Sequence, residues 1–276
     1  MTSKTEMFGA ALGKAIRKTA AKIKDGEFDR GHASRDQSGE SSMNDWDDPR
    51  IARGMAKQLA VRRARIAAGE KPLGWKVGLG APPAMERLKI KAPLVGFMMQ
   101  NSLIPNGSTV SFAGWTKPVA EPEVAVYMGA DLPGGTDRAG TIAAIAGIGP
   151  AIELADLNPP PDDVEVTLGG NIFHRHVILG PFDTARAGAK LDGLSGHVFR
   201  RGALAARQDN VEQFIGEMVG IVMHVAGTLS AYGEKLRAGD VIITGSIVAP
   251  PFIERDETDF AYALEPIGGL SVRFTR

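Results

Sequence analysis

The 276-residue chain contains no cysteine. That absence excludes disulfides, thiolate-ligated metals and a cysteine nucleophile together, and it accords with a reducing, cytoplasmic setting. Net charge is also absent, since 32 Lys and Arg balance 32 Asp and Glu. No block of like charges forms the kind of tail that grips a polyanion, so no nucleic-acid partner is expected. No apolar run approaches the ~20 residues of a membrane span, so no membrane partner is expected either. What is present is 43% hydrophobic residues, enough for a sizeable core in one large domain or a domain with an appendage.

The most informative stretch is Ala120 to Met128, where Glu121 and Glu123 stand one residue apart at the head of an apolar run. In a β-strand, side chains at i and i+2 share a face, about 7 Å apart. Carboxylates held that close repel unless something neutralises them, and a hard divalent cation takes carboxylate oxygens readily. A third carboxylate, Glu153, lies in a second apolar stretch, Gly149 to Ala155. Three carboxylates without a histidine or cysteine partner suit an octahedral ion such as Mg²⁺.

Residues 1–24 are basic and carry Phe8, Leu12, Ile16 and Ile23 at helical spacing. Acidic Glu6 and Asp25, with no cleavage signal, favour a docking helix over a transit peptide. The polar stretch 25–48 reads as a linker or long surface loop. A helix then starts at Asp47 or Asp48 with Pro49 in its first turn and stops at Gly69. Its Ile51, Met55 and Leu59, with Val61 and Ile66 beyond, give an apolar side, and Arg62, Arg63 and Arg65 form a solvated face. In Gly74-Trp75-Lys76-Val77-Gly78 the alternation predicts a short strand between glycines. Its lysine is either exposed or aimed into a cleft.

Residues 49–93 thus form a helical N-terminal part, and residues 94–276 a β-rich domain. Strands are expected at Val95–Met98, Thr109–Phe112, Val124–Met128, Val164–Leu168, His176–Leu179, Val198–Arg200, Asp240–Thr244, Asp259–Leu264 and Leu270–Phe274. Helices are expected at Thr141 to Ile148 and at Asn210 to Tyr232. The backbone amides and hydroxyl of Gly245 and Ser246, at a strand's end, suit an anion.

Together, Gly74-Trp75-Lys76-Val77-Gly78, Glu121-Pro122-Glu123, Pro150-Ala151-Ile152-Glu153 and Ala238 to Ser246 resemble the fumarylacetoacetate hydrolase superfamily. They look most like its 2-keto-4-pentenoate hydratase and 4-oxalocrotonate decarboxylase branch. The resemblance implies an α+β fold with a mixed, rolled β-sheet and flanking helices. It also implies a homo-oligomer, and Mg²⁺ or Mn²⁺ on Glu121, Glu123 and Glu153. Lys76 is similar to the family's active-site lysine, and Asn171, Gly245 and Ser246 fall where substrate contacts are implied.

Two departures stand out. Gln100 and Asn101 occupy the stretch where hydratases of this kind carry an acid–base aspartate, and Gly169-Gly170-Asn171-Ile172-Phe173 keeps only the asparagine of a second motif. Amides hydrogen-bond but do not carry protons near neutral pH. His174 and His176 are the replacement candidates, with hydrogen-bonded strand histidines beside the pocket as the plainer reading. The implied activity is metal-dependent hydration of a 2-hydroxyalka-2,4-dienoate or its 2-oxo tautomer in aromatic catabolism. Decarboxylation, hydrolytic C–C cleavage of an acylpyruvate, and a non-catalytic ligand-binding role are the alternatives.

Overall fold

A computed structural model describes residues 45–276. The expected N-terminal helix and most of the polar linker lie outside the described residues. Asp48 caps α1 (Pro49–Ala67) by accepting from the Arg50 amide at 2.8 Å, and Pro49 opens it as its composition requires. There follow β1 (Pro72–Gly78), α2 (Pro82–Leu88), β2 (Leu94–Met99), β3 (Thr109–Ser111), β4 (Pro118–Met128), α3 (Arg138–Ala144) and β5 (Ile145–Asp156). The chain continues through α4 (Val164–Gly169), β6 (His174–Leu179), β7 (Ser195–Arg200), β8 (Ala203–Gln208), α5 (Met218–Ala231), β9 (Val241–Ser246), β10 (Asp259–Glu265) and β11 (Gly268–Thr275).

The strands form two mixed sheets. The larger runs β2-β1-β9-β4-β5-β6 and the smaller β3-β11-β10-β7-β8; the β1–β9 and β11–β3 pairs are parallel and the rest antiparallel. The larger sheet rolls. Just after β2, at one edge, Leu103 bridges Val177 of β6 at the other edge, and the Ile104 amide donates to the Val177 carbonyl at 3.0 Å. Alternation along each strand then sorts side chains into an inside and an outside. Ala125, Ala151, Val177 and Ile243 fill the interior. Val124, Val126, Ile152 and Leu154 face the larger outer core, shared with the helices and the second sheet. The rolled mixed sheet with flanking helices is as the family resemblance implies.

Several expected elements differ. Val164–Leu168 is helical because Asp163 accepts from the Val166 amide and because Val164 and Leu168, one turn apart, are both buried. The long helix starts only at Met218. Gly216 takes a left-handed φ of 89°, and Glu217 accepts from the Val219 and Gly220 amides, resetting the helix start. The alanine-rich helix ends at Ala144, where Ile145 begins β5 instead of continuing to Ile148. β8 has no apolar alternation to betray it, being a largely exposed edge strand. Pro122 sits in a central strand, where a proline leaves the ladder without a donor. It is tolerated next to the irregularity in the β4–β9 pairing between Glu123 and Ala125.

Arg62 is buried, contrary to the expected solvated face. Its guanidinium lies 4.5 Å from the Trp75 ring centroid, and Nη1 donates to Glu234 at 3.2 Å. A planar, weakly hydrated cation stacks on indole where an ammonium would stay in water.

Candidate active site

Glu121 and Glu123 point into the rolled sheet from β4, and the antiparallel register sets Glu153 of β5 opposite Glu121. One carboxylate oxygen from each lies within 4.8 Å of the others, the one such acid or imidazole cluster among the described residues. Glu123 and Glu153 are buried and Glu121 is half-buried. Lys76 comes from β1 with 2% of its surface exposed. Its Nζ donates to Glu153 Oε1 and Oε2 at 2.5 and 2.6 Å and to the Ile172 carbonyl at 3.1 Å. The stem needs a glycine beside it: a Cβ on Gly96 would sit 2.9 Å from Lys76 Cγ. Three carboxylates against one ammonium leave two negative charges, the charge a divalent cation cancels.

Two groups that sequence patterns left unpaired complete the arrangement. His174 Nδ1 lies 2.6 Å from Glu153 Oε1, and its Nε2 lies 3.0 Å from Ser102 Oγ. Burial, with Lys76 nearby, holds the imidazole below its ordinary pKa despite Glu153, so we assign a neutral ring. Its Nδ1–H then donates to Glu153, and Ser102, which also has the Met99 carbonyl within reach, donates to Nε2. His174 is therefore a hydrogen-bonded strand histidine, the plainer of the two readings. His176 stacks 6.2 Å from Trp115.

The turn before β6 is unusual. Asn171, Ile172 and Phe173 all take positive φ, at 55°, 50° and 65°, a costly conformation for a β-branched residue. Asn171 stabilises it with both ends of its amide: Oδ1 accepts from the Phe97 amide and Nδ2 donates to the Phe97 carbonyl, each at 2.8 Å. Asn171, expected at a substrate contact, thereby clamps β2 and is not on the lining of the cavity described below. The turn in exchange aims the Ile172 carbonyl at Lys76.

The carboxyls differ in their hold on protons. Burial, then the Glu153 charge, pushes Glu121 up to about 7 against the pull of Lys76. Burial, Glu153 and Glu121 push Glu123 well above its ordinary value. Burial alone would raise Glu153 too, but Lys76 and His174 outweigh it and hold that group down. An ionised Glu153 beside two carboxyls whose charge is disfavoured is a pattern that a bound cation would relieve.

The donor set fits a divalent ion. Glu123 Oε2 accepts from the Gly245 amide at 2.6 Å, while its buried Oε1 accepts nothing among the described residues. Such an oxygen is costly unless a ligand meets it. Gly245, at φ 97°, thus turns its amide to a carboxyl oxygen of the protein's own Glu123. Ser246 Oγ is likewise buried without a partner among the described residues.

Lys76, Glu121, Gly245 and Ser246 line a cavity of about 590 Å³, whose other walls include Leu79, Phe173 and Phe214. Gln100 and Asn101 are exposed and absent from its lining, so their amides replace no cavity-facing acid.

Residues 73–271 match the family model described as fumarylacetoacetate (FAA) hydrolase C-terminal. The chain belongs to the fumarylacetoacetate hydrolase family. It is 29% identical over 223 residues to a 2-hydroxyhexa-2,4-dienoate hydratase of Comamonas testosteroni, covering 79% of this chain and 83% of the relative. It is 27% identical over 241 residues to a 4-oxalocrotonate decarboxylase of Pseudomonas putida, covering 84% and 88%. A solved structure of 4-oxalocrotonate decarboxylase from Pseudomonas putida G7, complexed with calcium and acetate, superposes with a TM-score of 0.74 at 25% identity over 84% of this chain and 88% of that one. Family membership makes the protein an enzyme of this superfamily, whose relatives carry both hydratase and decarboxylase names. Among the described residues no helix is long and apolar enough to cross a membrane.

Proposed function

We propose that the protein is a divalent-metal-dependent lyase adding water to a 2-hydroxyalka-2,4-dienoate or its 2-oxo tautomer, as in the breakdown of aromatic compounds. The observation that carries this reading is the cluster of Glu121, Glu123 and Glu153 beside Lys76, with Lys76 and Glu121 on the wall of a largely apolar cavity. Glu121, Glu123 and Glu153 would hold Mg²⁺ or Mn²⁺, which when bound supplies a Lewis acid for the carboxylate and keto oxygens of a 2-oxo acid.

The chain's own residues supply the rest. Lys76 turns one of the two Nζ–H groups that meet Glu153 to the keto oxygen as negative charge grows there on enolisation, and in this desolvated position the ammonium acts strongly. Glu153 and the Ile172 carbonyl set its orientation. Ser246 offers its unpartnered hydroxyl to the substrate carboxylate. Gly245 acts indirectly, by fixing Glu123. The apolar walls keep bulk water from the enolate. By family resemblance the working form is taken to be a cytoplasmic homo-oligomer.

Decarboxylation through the same enolate is the second reading, and one observation favours it. The charged side chains lining the cavity among the described residues are Lys76, Arg87 and Glu121. No carboxylate beyond the proposed ligand is there to activate a water, which decarboxylation does not need.

Incubating the Mg²⁺- or Mn²⁺-loaded protein with 2-oxo dienoates, 4-oxalocrotonate-type diacids and acylpyruvates, with products weighed by mass spectrometry, separates the readings. Gain of water supports hydration, loss of carbon dioxide supports the second reading, and chain cleavage supports hydrolysis. No turnover with any substrate and either metal would leave a ligand-binding protein and overturn both lyase readings.

A further inference from the structure

The cavity is larger and more apolar than the chemistry at its polar wall requires. At about 590 Å³ it lies within the roughly 300–1,000 Å³ range that encloses a drug-sized ligand. A five- or six-carbon acid would leave much of it filled with water. The groups proposed to act on the 2-oxo acid are gathered in one place: Lys76 is bonded to Glu153, which stands opposite Glu121, and Ser246 is paired with Glu123. Away from them the wall is built from Leu79, Leu157, Phe173, Phe214, Val248 and Phe252. Arg87 is the other cation on the lining, and its Nη2 is engaged with the Pro161 carbonyl at 3.3 Å.

We infer that the cavity selects 2-oxo acids bearing a long alkyl or aryl tail over short-chain acids and over diacids. The inference rests on the proposed 2-oxo acid chemistry and extends it to the distal half of the substrate. Apolar surface moved from water into such a wall gains affinity with every methylene, by about fourfold each when fully buried. A second carboxylate in the same place loses its hydration against the apolar wall, and the one cation there, Arg87, is exposed to water, where its attraction is screened.

Calorimetric titration of the full chain with saturated 2-oxo acids, which bind without the dienoate reaction, tests this in the presence of Mg²⁺. The probes are 2-oxobutanoate, 2-oxooctanoate, 4-phenyl-2-oxobutanoate and 2-oxoadipate. The octanoate and phenyl acids bind at least about tenfold more tightly than 2-oxobutanoate, given a few buried methylene equivalents, and 2-oxoadipate gains nothing. In Phe214→Ala the ratio of phenyl to short acid shrinks several-fold. Equal Mg²⁺-dependent affinity for all four acids overturns the inference and leaves the 2-oxo acid reading standing. Tighter binding of 2-oxoadipate overturns it as well, giving the selecting role to Arg87. Binding of none of them sinks the 2-oxo acid reading, and the tail inference with it.

Discussion

Replacing Glu121 by Gln should stabilise the metal-free protein in alkaline solution while damaging its response to metal. The folded protein keeps a proton on Glu121 up to about 7, whereas the ordinary carboxyl value is 4.5. Between those values the folded state binds more protons than the unfolded one, so stability is present at low pH and lost as pH rises through about 7. The difference of about 2.5 pH units corresponds to about 3 kcal/mol, lost in full by about pH 8.5. Gln has no proton to lose and escapes this penalty. At 2–4 °C per kcal/mol, the melting temperature of Glu121→Gln should gain roughly 6–12 °C on that of the parent between about pH 5 and pH 8.5. Thermal melts followed by circular dichroism, with chelator and constant ionic strength, measure the gap. Excess Mg²⁺ should close or reverse it, since a ligand at a hundred times its Kd stabilises the parent by about 2.7 kcal/mol. A gap that stays constant with pH, or that narrows as pH rises, would refute the reasoning.

Other perturbations follow from the same geometry. Glu123→Gln should abolish Mg²⁺- or Mn²⁺-dependent thermal stabilisation, because it removes the oxygen that accepts no hydrogen bond; retained stabilisation would count against the site. His174→Phe should weaken metal affinity about 10–100-fold, as loss of a partner that orients a ligand does. His174→Asn, with a donor near the Nδ1 position, should recover part of that loss, which a purely structural defect would not show. Gly96→Ala should lower turnover about a hundredfold while leaving the far-ultraviolet spectrum unchanged, since the new methyl displaces the Lys76 stem. Arg62→Ala should cost about 1–3 kcal/mol in urea unfolding, by removing the cation stacked on Trp75 and one of the two arginines that pair with Glu234, Arg63 being the other.

What the sequence conveyed depended on how local the signal was. Glu121 and Glu123 were legible because a period of two fixes their common face without reference to any other strand. Lys76 was legible as a strand residue between glycines, but its contact with Glu153 needs β1 and β5 on one rolled sheet. Ser102 gave no signal at all. It meets His174 only because the chain after β2 closes on β6, a pairing of residues 72 positions apart. Val164–Leu168 misled because its valines and threonine favour strands, while the Asp163 cap and burial beside α1 decided for helix. Arg62 misled for a related reason: a charged side chain reads as solvated until the aromatic face that covers it is known.

The seam at Leu103 and Ile104 has a consequence for how the protein opens. Ser102, which holds His174, immediately precedes it, and Val177, its partner, lies three residues beyond His174. Parting the seam therefore withdraws Ser102 from His174 and releases Glu153 on that side in the same motion. Local opening and loss of a cation would then be one event, so a bound ion should raise the free energy of that opening. The Ile104 amide, whose acceptor is the Val177 carbonyl, becomes a reporter: its hydrogen exchange should slow on metal binding, although no atom of Ile104 belongs to the site.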